Sequence, residues 1–225
     1  MFYILYIRVL CKNALLKKPY KTMKKIYSLL AAALVTGFCS VPALAGQSYI
    51  SGDVGSSWMN DTKDGAYKYG MNSGVHALGA IGMRENCYRF EGELGYQRND
   101  VDKSYELYGP FNYNGKIEVW SVLANAYYDI YTGGGVKPYL TAGVGAARVQ
   151  FEDLRYAGYP RGTGWSEHNS AFAYQVGAGV AIPISHNVKL DARYRYFSTA
   201  EFTLNDGYQS RLSSSSVLLG LRFGL

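Results

Sequence analysis

The sequence predicts an all-β fold, an eight-stranded antiparallel up-and-down transmembrane β-barrel. Three observations carry that expectation. The last strand alternates strictly, with Val217, Leu219, Leu221, Phe223 and Leu225 on one face and Leu218, Gly220, Arg222 and Gly224 on the other. That strand ends on an apolar residue, with nothing after it to cover its apolar face. An export leader precedes several more segments of the same kind, so the expected cover is lipid.

The leader is read first. Met23-Lys24-Lys25 opens a basic stretch, Ile26 to Phe38 is apolar, and Ala43-Leu44-Ala45 has small residues flanking a cleavage point. These predict a signal peptide over 23–45, cleaved after Ala45, and a barrel domain over 46–225. Residues 1–22 read as an upstream extension or a long leader, and Met1 and Met23 both stay open as starts. Cys39 follows Phe38, where a lipid-attachment motif needs a small residue.

Removing the leader changes the charge. Seven of the 23 Lys and Arg precede residue 46 and none of the 17 Asp and Glu does. The mature part therefore carries 16 basic and 17 acidic residues, and its balance gives no argument for nucleic acid. Cys87 is the only cysteine left, so no intramolecular disulfide is expected. No apolar run of about twenty residues follows the leader, so a bilayer would be crossed by strands.

Eight strands are expected: Gln47–Trp58, Ser73–Arg84, Tyr88–Gln97, Ile117–Tyr128, Pro138–Val149, Ser170–Ala181, Val188–Phe197 and Ser214–Leu225. The third is the clearest, Tyr88, Phe90, Gly92, Leu94 and Tyr96 alternating with Arg89, Glu91, Glu93, Gly95 and Gln97. In the second, Val75, Ala77, Ile81 and Met83 are placed outward. Short turns (Glu85–Cys87, Asp129–Lys137, Ile182–Asn187) alternate with long polar loops (Met59–Asn72, Arg98–Lys116, Gln150–Asn169, Ser198–Ser213). That asymmetry is expected of periplasmic turns and extracellular loops.

Alternation alone fits a soluble barrel with an apolar lumen as well. Aromatics at both strand ends decide against it: Trp58, Tyr96, Trp120, Phe172 and Tyr196 at one rim, Tyr88, Tyr128 and Phe223 at the other. The opposite face mixes glycine with charge, which suits a narrow interior. Gly220, Phe223 and Leu225 have the spacing of the signal read by the barrel assembly machinery, an expected partner.

The chain resembles the small eight-stranded outer-membrane β-barrel family, the opacity-type surface antigens and porin-like proteins with relatives of the OmpA/OmpX kind. The resemblance rests on Leu123 to Asp129, Pro138 to Gly145, Phe172 to Gly179, Leu190 to Tyr196 and the ending Gly220 to Leu225. It implies the outer membrane of a Gram-negative-type bacterium, with lipid and lipopolysaccharide as neighbours. The family's functions differ from member to member. Leu225 in place of an aromatic, and Leu218 where the signal prefers a polar residue, depart from its usual ending.

Chemistry has three candidate seats. Asp53, Arg89, Glu91, Glu93, Arg148, Lys189, Asp191, Arg193, Arg195 and Arg222 are expected to point inward, pairing into a salt-bridge plug. The alternative is a narrow, anion-favouring ion path, a small-conductance porin. Tyr67, Tyr69, Tyr105, Tyr108, Tyr113, Tyr156, Tyr159, Trp165 and Tyr208 give loops suited to adhesion, to an unidentified extracellular or host ligand, or to lipopolysaccharide sugars. The third seat is His168-Asn169-Ser170 with Glu167 beside it and Glu201 one loop away, a minimal hydrolase constellation of the kind by which some barrels edit lipid A. It lacks a recognisable third residue, and the expectation is no enzyme. His76 and His186 stand singly, so neither is assigned a metal, and no cofactor is expected. The role expected is structural or surface interaction through tyrosine-rich loops on a plugged barrel.

Overall fold

In lipid every backbone N–H and C=O must find an internal partner, and strands achieve that only by closing into a ring. The computed structural model describes residues 46–59, 63–64, 67–70, 73–101, 103–106, 109–111, 113–156, 160, 164–203 and 209–225. The expected leader lies outside the described residues, as do Tyr108, Tyr159 and Tyr208. The strands are β1 (Gln47–Met59), β2 (Lys63–Asp64), β3 (Tyr67–Gly70), β4 (Gly74–Glu85), β5 (Tyr88–Val101), β6 (Lys103–Glu106), β7 (Gly109–Phe111), β8 (Tyr113–Asp129), β9 (Lys137–Tyr156), β10 (Trp165–Pro183), β11 (Val188–Thr199), β12 (Phe202–Thr203), β13 (Gln209–Ser210) and β14 (Ser213–Gly224).

Eight of these close a barrel in the order β1-β14-β11-β10-β9-β8-β5-β4, every pair antiparallel. The seam joins the first and last strands, from Tyr49 opposite Gly224 to Met59 opposite Ser214. Short connections lie at one end. Asn86 and Cys87 form the tight β4–β5 turn, Asn86 taking a left-handed φ of 56° that asparagine tolerates. The β8–β9 turn uses Gly133 at φ 70°. Cys87 is a free, half-buried thiol there.

The outward face is the alternating apolar set. Ile50, Val54, Val75, Ile81, Leu94, Val122, Leu140, Val144, Val176, Val217, Leu219 and Leu221 are all exposed, a continuous surface that water would not tolerate on a monomer. Aromatic pairs bracket it, Tyr96 against Trp120 at 4.8 Å between ring centroids and Tyr88 against Tyr128 at 5.5 Å. Rings with an apolar body and a polar tip settle where lipid meets water.

The long connections depart from the expected polar loops. β8, β9 and β10 run well past the expected ends, and β2, β3, β6 and β7 form a four-stranded sheet joining the first two long connections. β12 pairs with β13 in the fourth. These extensions mix aromatic, polar and charged residues without a sustained apolar alternation, so they carry no lipid-facing signature. Lys116 Nζ ties them at the rim, 3.0 Å from Glu118 and 2.7 Å from Glu152. Within β9, before its end at Tyr156, Asp153 takes φ 50°, and its carboxylate accepts the Gly164 N–H at 3.0 Å.

Candidate functional site: the barrel interior and its rims

The inward face divides into two tiers. In the half nearer the long loops Met59, Ile117, Val119, Leu123, Ala147, Val149, Ala171, Ala173, Phe197, Phe202 and Leu212 pack into one buried apolar cluster, with Phe151 against it. The sequence expectation of glycine and charge throughout did not include this cap. β8 gives three of its residues and β9 and β10 two each, while Met59, Phe197, Phe202 and Leu212 come singly, so the cap emerges only from the whole set.

Beside this cluster and below it the interior is polar and cross-linked. Ser214 donates to Gln97 at 3.0 Å, Gln97 to Asn99 at 2.8 Å, and His76 Nδ1 lies 2.9 Å from the Ser216 hydroxyl. The Gln175 amide donates to Asn125 and Thr141, both at 3.0 Å, and Asn125 donates to Glu93 at 2.9 Å. Then come the charges. Arg195 reaches Glu93 at 2.6 Å, while Arg193 lies 3.0 Å from Asp53 and 3.6 Å from Glu93. Nearer the short turns Arg89 pairs with Asp129 at 2.9 Å and Glu91 at 3.5 Å, and Arg222 pairs with Asp191.

Tyrosines fill the space between ions. Tyr49 donates to Glu91 at 2.6 Å, Tyr139 donates to Asp191, and Arg193 donates to the Tyr127 hydroxyl at 2.6 Å. The Arg89 guanidinium lies 4.1 Å from the Tyr127 ring centre and 4.7 Å from that of Tyr139. A charge removed from water costs several kcal/mol unless paired and hydrogen-bonded, and here most arginines have a carboxylate and a ring.

Of the ten residues expected inside, the structure brings nine to the inward face. Arg148 is the correction: its neighbours Ala147 and Val149 are buried, and Arg148 itself faces outward between Trp120 and Ser170 of the adjacent strands. Alternation fixes its face, and the mistake was one of parity near the rim. Lys189 is inward but only half-buried, at the short-turn mouth. Sequence reasoning missed Asp129 and Arg84, 3.6 Å apart, and the three buried tyrosines. Asp129 had been assigned to a turn, although its inward parity with Tyr127 was the available signal.

The other candidates separate. Tyr67, Tyr69 and Tyr105 lie on strands of the small loop sheet, where Lys68 registers with Tyr105. Tyr113 is opposite Tyr156, and Trp165 is opposite Leu154 where β10 is irregular. His168 and Ser170 share the outward face, whereas Glu167 is buried on the inward side and donor Asn169 holds it at 2.8 Å. Glu201 pairs with Arg211 at 3.2 Å. Neither acid is placed to orient the histidine as a hydrolase needs. His186 lies in the β10–β11 turn. Among the described residues no group of three or more His, Cys, Asp or Glu is placed to hold a metal. Gly220 lies against Asp53, and Phe223 and Leu225 are exposed at the short-turn rim.

Comparison with known proteins agrees with this architecture. The crystal structure of Neisserial surface protein A (NspA) superposes with a TM-score of 0.58 at 22% identity, covering 79% of this chain and 97% of that one. A 22 kDa outer membrane protein of Rhizobium leguminosarum bv. viciae is 27% identical over 186 residues, 80% of this chain and 78% of that protein. An uncharacterized protein of Brucella abortus (strain 2308) is 32% identical over 122 residues, 52% of this chain, so the chain spans only 41% of that relative's length. Residues 31–223 match the family described as the outer membrane protein beta-barrel domain. With a closed eight-stranded ring, a lipid-suited exterior and a filled interior, the chain belongs to that family of outer-membrane β-barrels.

Proposed function

We propose that this protein is a non-conducting scaffold whose work is done by its extracellular loops, in contact with a sugar-bearing surface, first of all outer-leaflet lipopolysaccharide. The observation that carries the reading is the doubly closed interior, ionic below and apolar above. Above the ion pairs the lumen is packed by the apolar cluster together with buried Gln97, Asn99 and Ser214. The polar groups of those three already hydrogen-bond one another and are not offered to replace an ion's water, a barrier that selectivity filters avoid. The loops supply what the lumen lacks. Six aromatic residues of the loop set (Tyr67, Tyr69, Tyr105, Tyr113, Tyr156 and Trp165) lie on backbone strands, and tyrosine and tryptophan give contact area at low entropic cost. Neisserial surface protein A, similar in fold, is itself named as a surface protein.

The test has two parts. Protein inserted into a planar bilayer should pass no discrete current, and reproducible openings would return the porin reading. Cells displaying the protein should be retained on immobilised lipopolysaccharide, and Tyr67→Ser, Tyr69→Ser and Tyr105→Ser combined should lower retention at unchanged surface level. The hydrolase alternative has two residues on one face and its acids elsewhere, and we read the protein as no enzyme. Lipid A extracted from cells with and without Ser170→Ala should be identical.

A further inference from the structure

The mouth at the short-turn end holds a cavity of about 130 Å³ that the proposed surface role does not use. Its cationic lining is Arg84, Arg89, Lys189 and Arg222, with His186 at its edge, and no Asp or Glu side chain contributes. The acids that pair these arginines, Asp129, Glu91 and Asp191, do not line it. Among the described residues, no carboxylate lies within ion-pair distance of Lys189. Leu225, 76% exposed, also lines the cavity.

Two of the lining arginines have unused donors. Arg89, whose side chain is fully buried, leaves Nη2 without an acceptor, and Arg222, nearly so, leaves Nε without one. Both atoms are sealed from solvent, so they keep the wall of the recess positive without reaching into it. The cavity is also blind. Behind Arg89 and Arg222 only about 10 Å³ remains, walled by Asp53, Glu91, Tyr127 and Asp191, and the apolar cap lies beyond. A blind, positive, donor-rich recess holds a ligand and does not pass it.

We propose that this recess binds a small soluble oxyanion of the phosphate class on the periplasmic side. Cavities of about 150 Å³ take a molecule the size of benzene, so a tetrahedral oxyanion fits and a nucleotide does not. Guanidinium groups donate paired N–H bonds to such oxygens, and Lys189 adds an unmatched point charge. The recess lies at the short-turn end, lined from β1, β4, β5, β11 and β14 and the β10–β11 turn, and titration in nanodiscs separates a dissolved anion from a phospholipid headgroup.

The test is calorimetric titration of inorganic phosphate into the protein purified from outer membranes, in zwitterionic detergent, against chloride at equal ionic strength. Saturable one-site binding is expected. Lys189→Gln should weaken it about ten-fold, the usual scale for one charged donor, and Lys189→Arg should retain it. Arg148→Gln, on the outer wall, should bind as the wild type does, and heat-shifted gel mobility confirms that each variant is folded. Absence of saturable binding, or equal affinity in Lys189→Gln, would overturn the proposal. Repeating the titration in phosphatidylcholine and phosphatidylglycerol nanodiscs separates the sources. Equal binding in both supports a soluble anion, and loss only with phosphatidylglycerol would overturn that assignment in favour of a headgroup.

Discussion

Arg195 on β11 donates to Glu93 on β5 across 2.6 Å, and those two strands stand diametrically opposite in the ring of eight. One ion pair thus spans the whole lumen. Arg193 adds a second strut, reaching β1 through Asp53 and β8 through Tyr127. Glu93 is the common node, accepting from Arg195 and Asn125 with Arg193 nearby.

Removing that node should therefore strand Arg195, while Arg193 keeps Asp53. Glu93→Ala is expected to destabilise the barrel by about 3–5 kcal/mol, the scale for breaking a buried pair from one side. Glu93→Leu combined with Arg195→Met should recover most of that loss, since the pair is taken out whole. Urea unfolding in phospholipid vesicles, followed by tryptophan fluorescence, measures both. Equal losses in the single and double variants would contradict the argument.

Arg193→Ala should weaken the barrel chiefly by leaving Asp53 buried and unpaired, yet open no pore. The apolar cluster around Val149 and Phe197 still closes the lumen. Bilayer current in this variant is the readout, and steady conductance would locate the seal in the ions alone.

Gly220 belongs to the expected assembly signal, but the structure gives it a separate duty. A Cβ there would overlap Asp53 Oδ1 and the Gly52 carbonyl, displacing the partner of Arg193. Gly220→Ala should cost about 1–3 kcal/mol, as overpacking does. Refolding in vitro without any assembly machinery separates the two duties, because only the packing cost persists there.

Arg148→Leu should behave unlike its lumenal counterparts. It lies outward at the loop-side rim beside Trp120, where a charge costs about 0–1 kcal/mol, so its removal should be neutral or stabilising by that amount. A loss near that of Arg193→Ala would mean that it bears an interior load.

Much of this was legible before any coordinates. The eight strands, their outward sets and the two aromatic girdles follow from period-two alternation, because a lipid-facing strand must show its apolar residues in that order. The charges on β5 and β11 could be placed inward by the same rule. What alternation cannot show is which strands lie opposite across the ring. Arg195–Glu93 joins positions far apart in sequence, and the cap gathers Met59, Ile117, Phe197 and Leu212 from separate parts of the chain. The loop sheet was illegible for another reason: its pairing is between backbones, as in Lys68 with Tyr105, and asks little of the side chains.

The seam between β1 and β14 sets a condition on biogenesis. Residue 49 meets residue 224, so the first strand's outer edge has no mate until the last strand arrives. An open edge in hydrocarbon leaves a row of unpaired amides, each costing several kcal/mol. Half a barrel therefore has no stable place in a bilayer. Either a chaperoning surface guards that edge while the chain is threaded, or the sheet must curl shut as it enters. Insertion and completion are then one event, and a lesion in the final strand would act as a lesion in the whole.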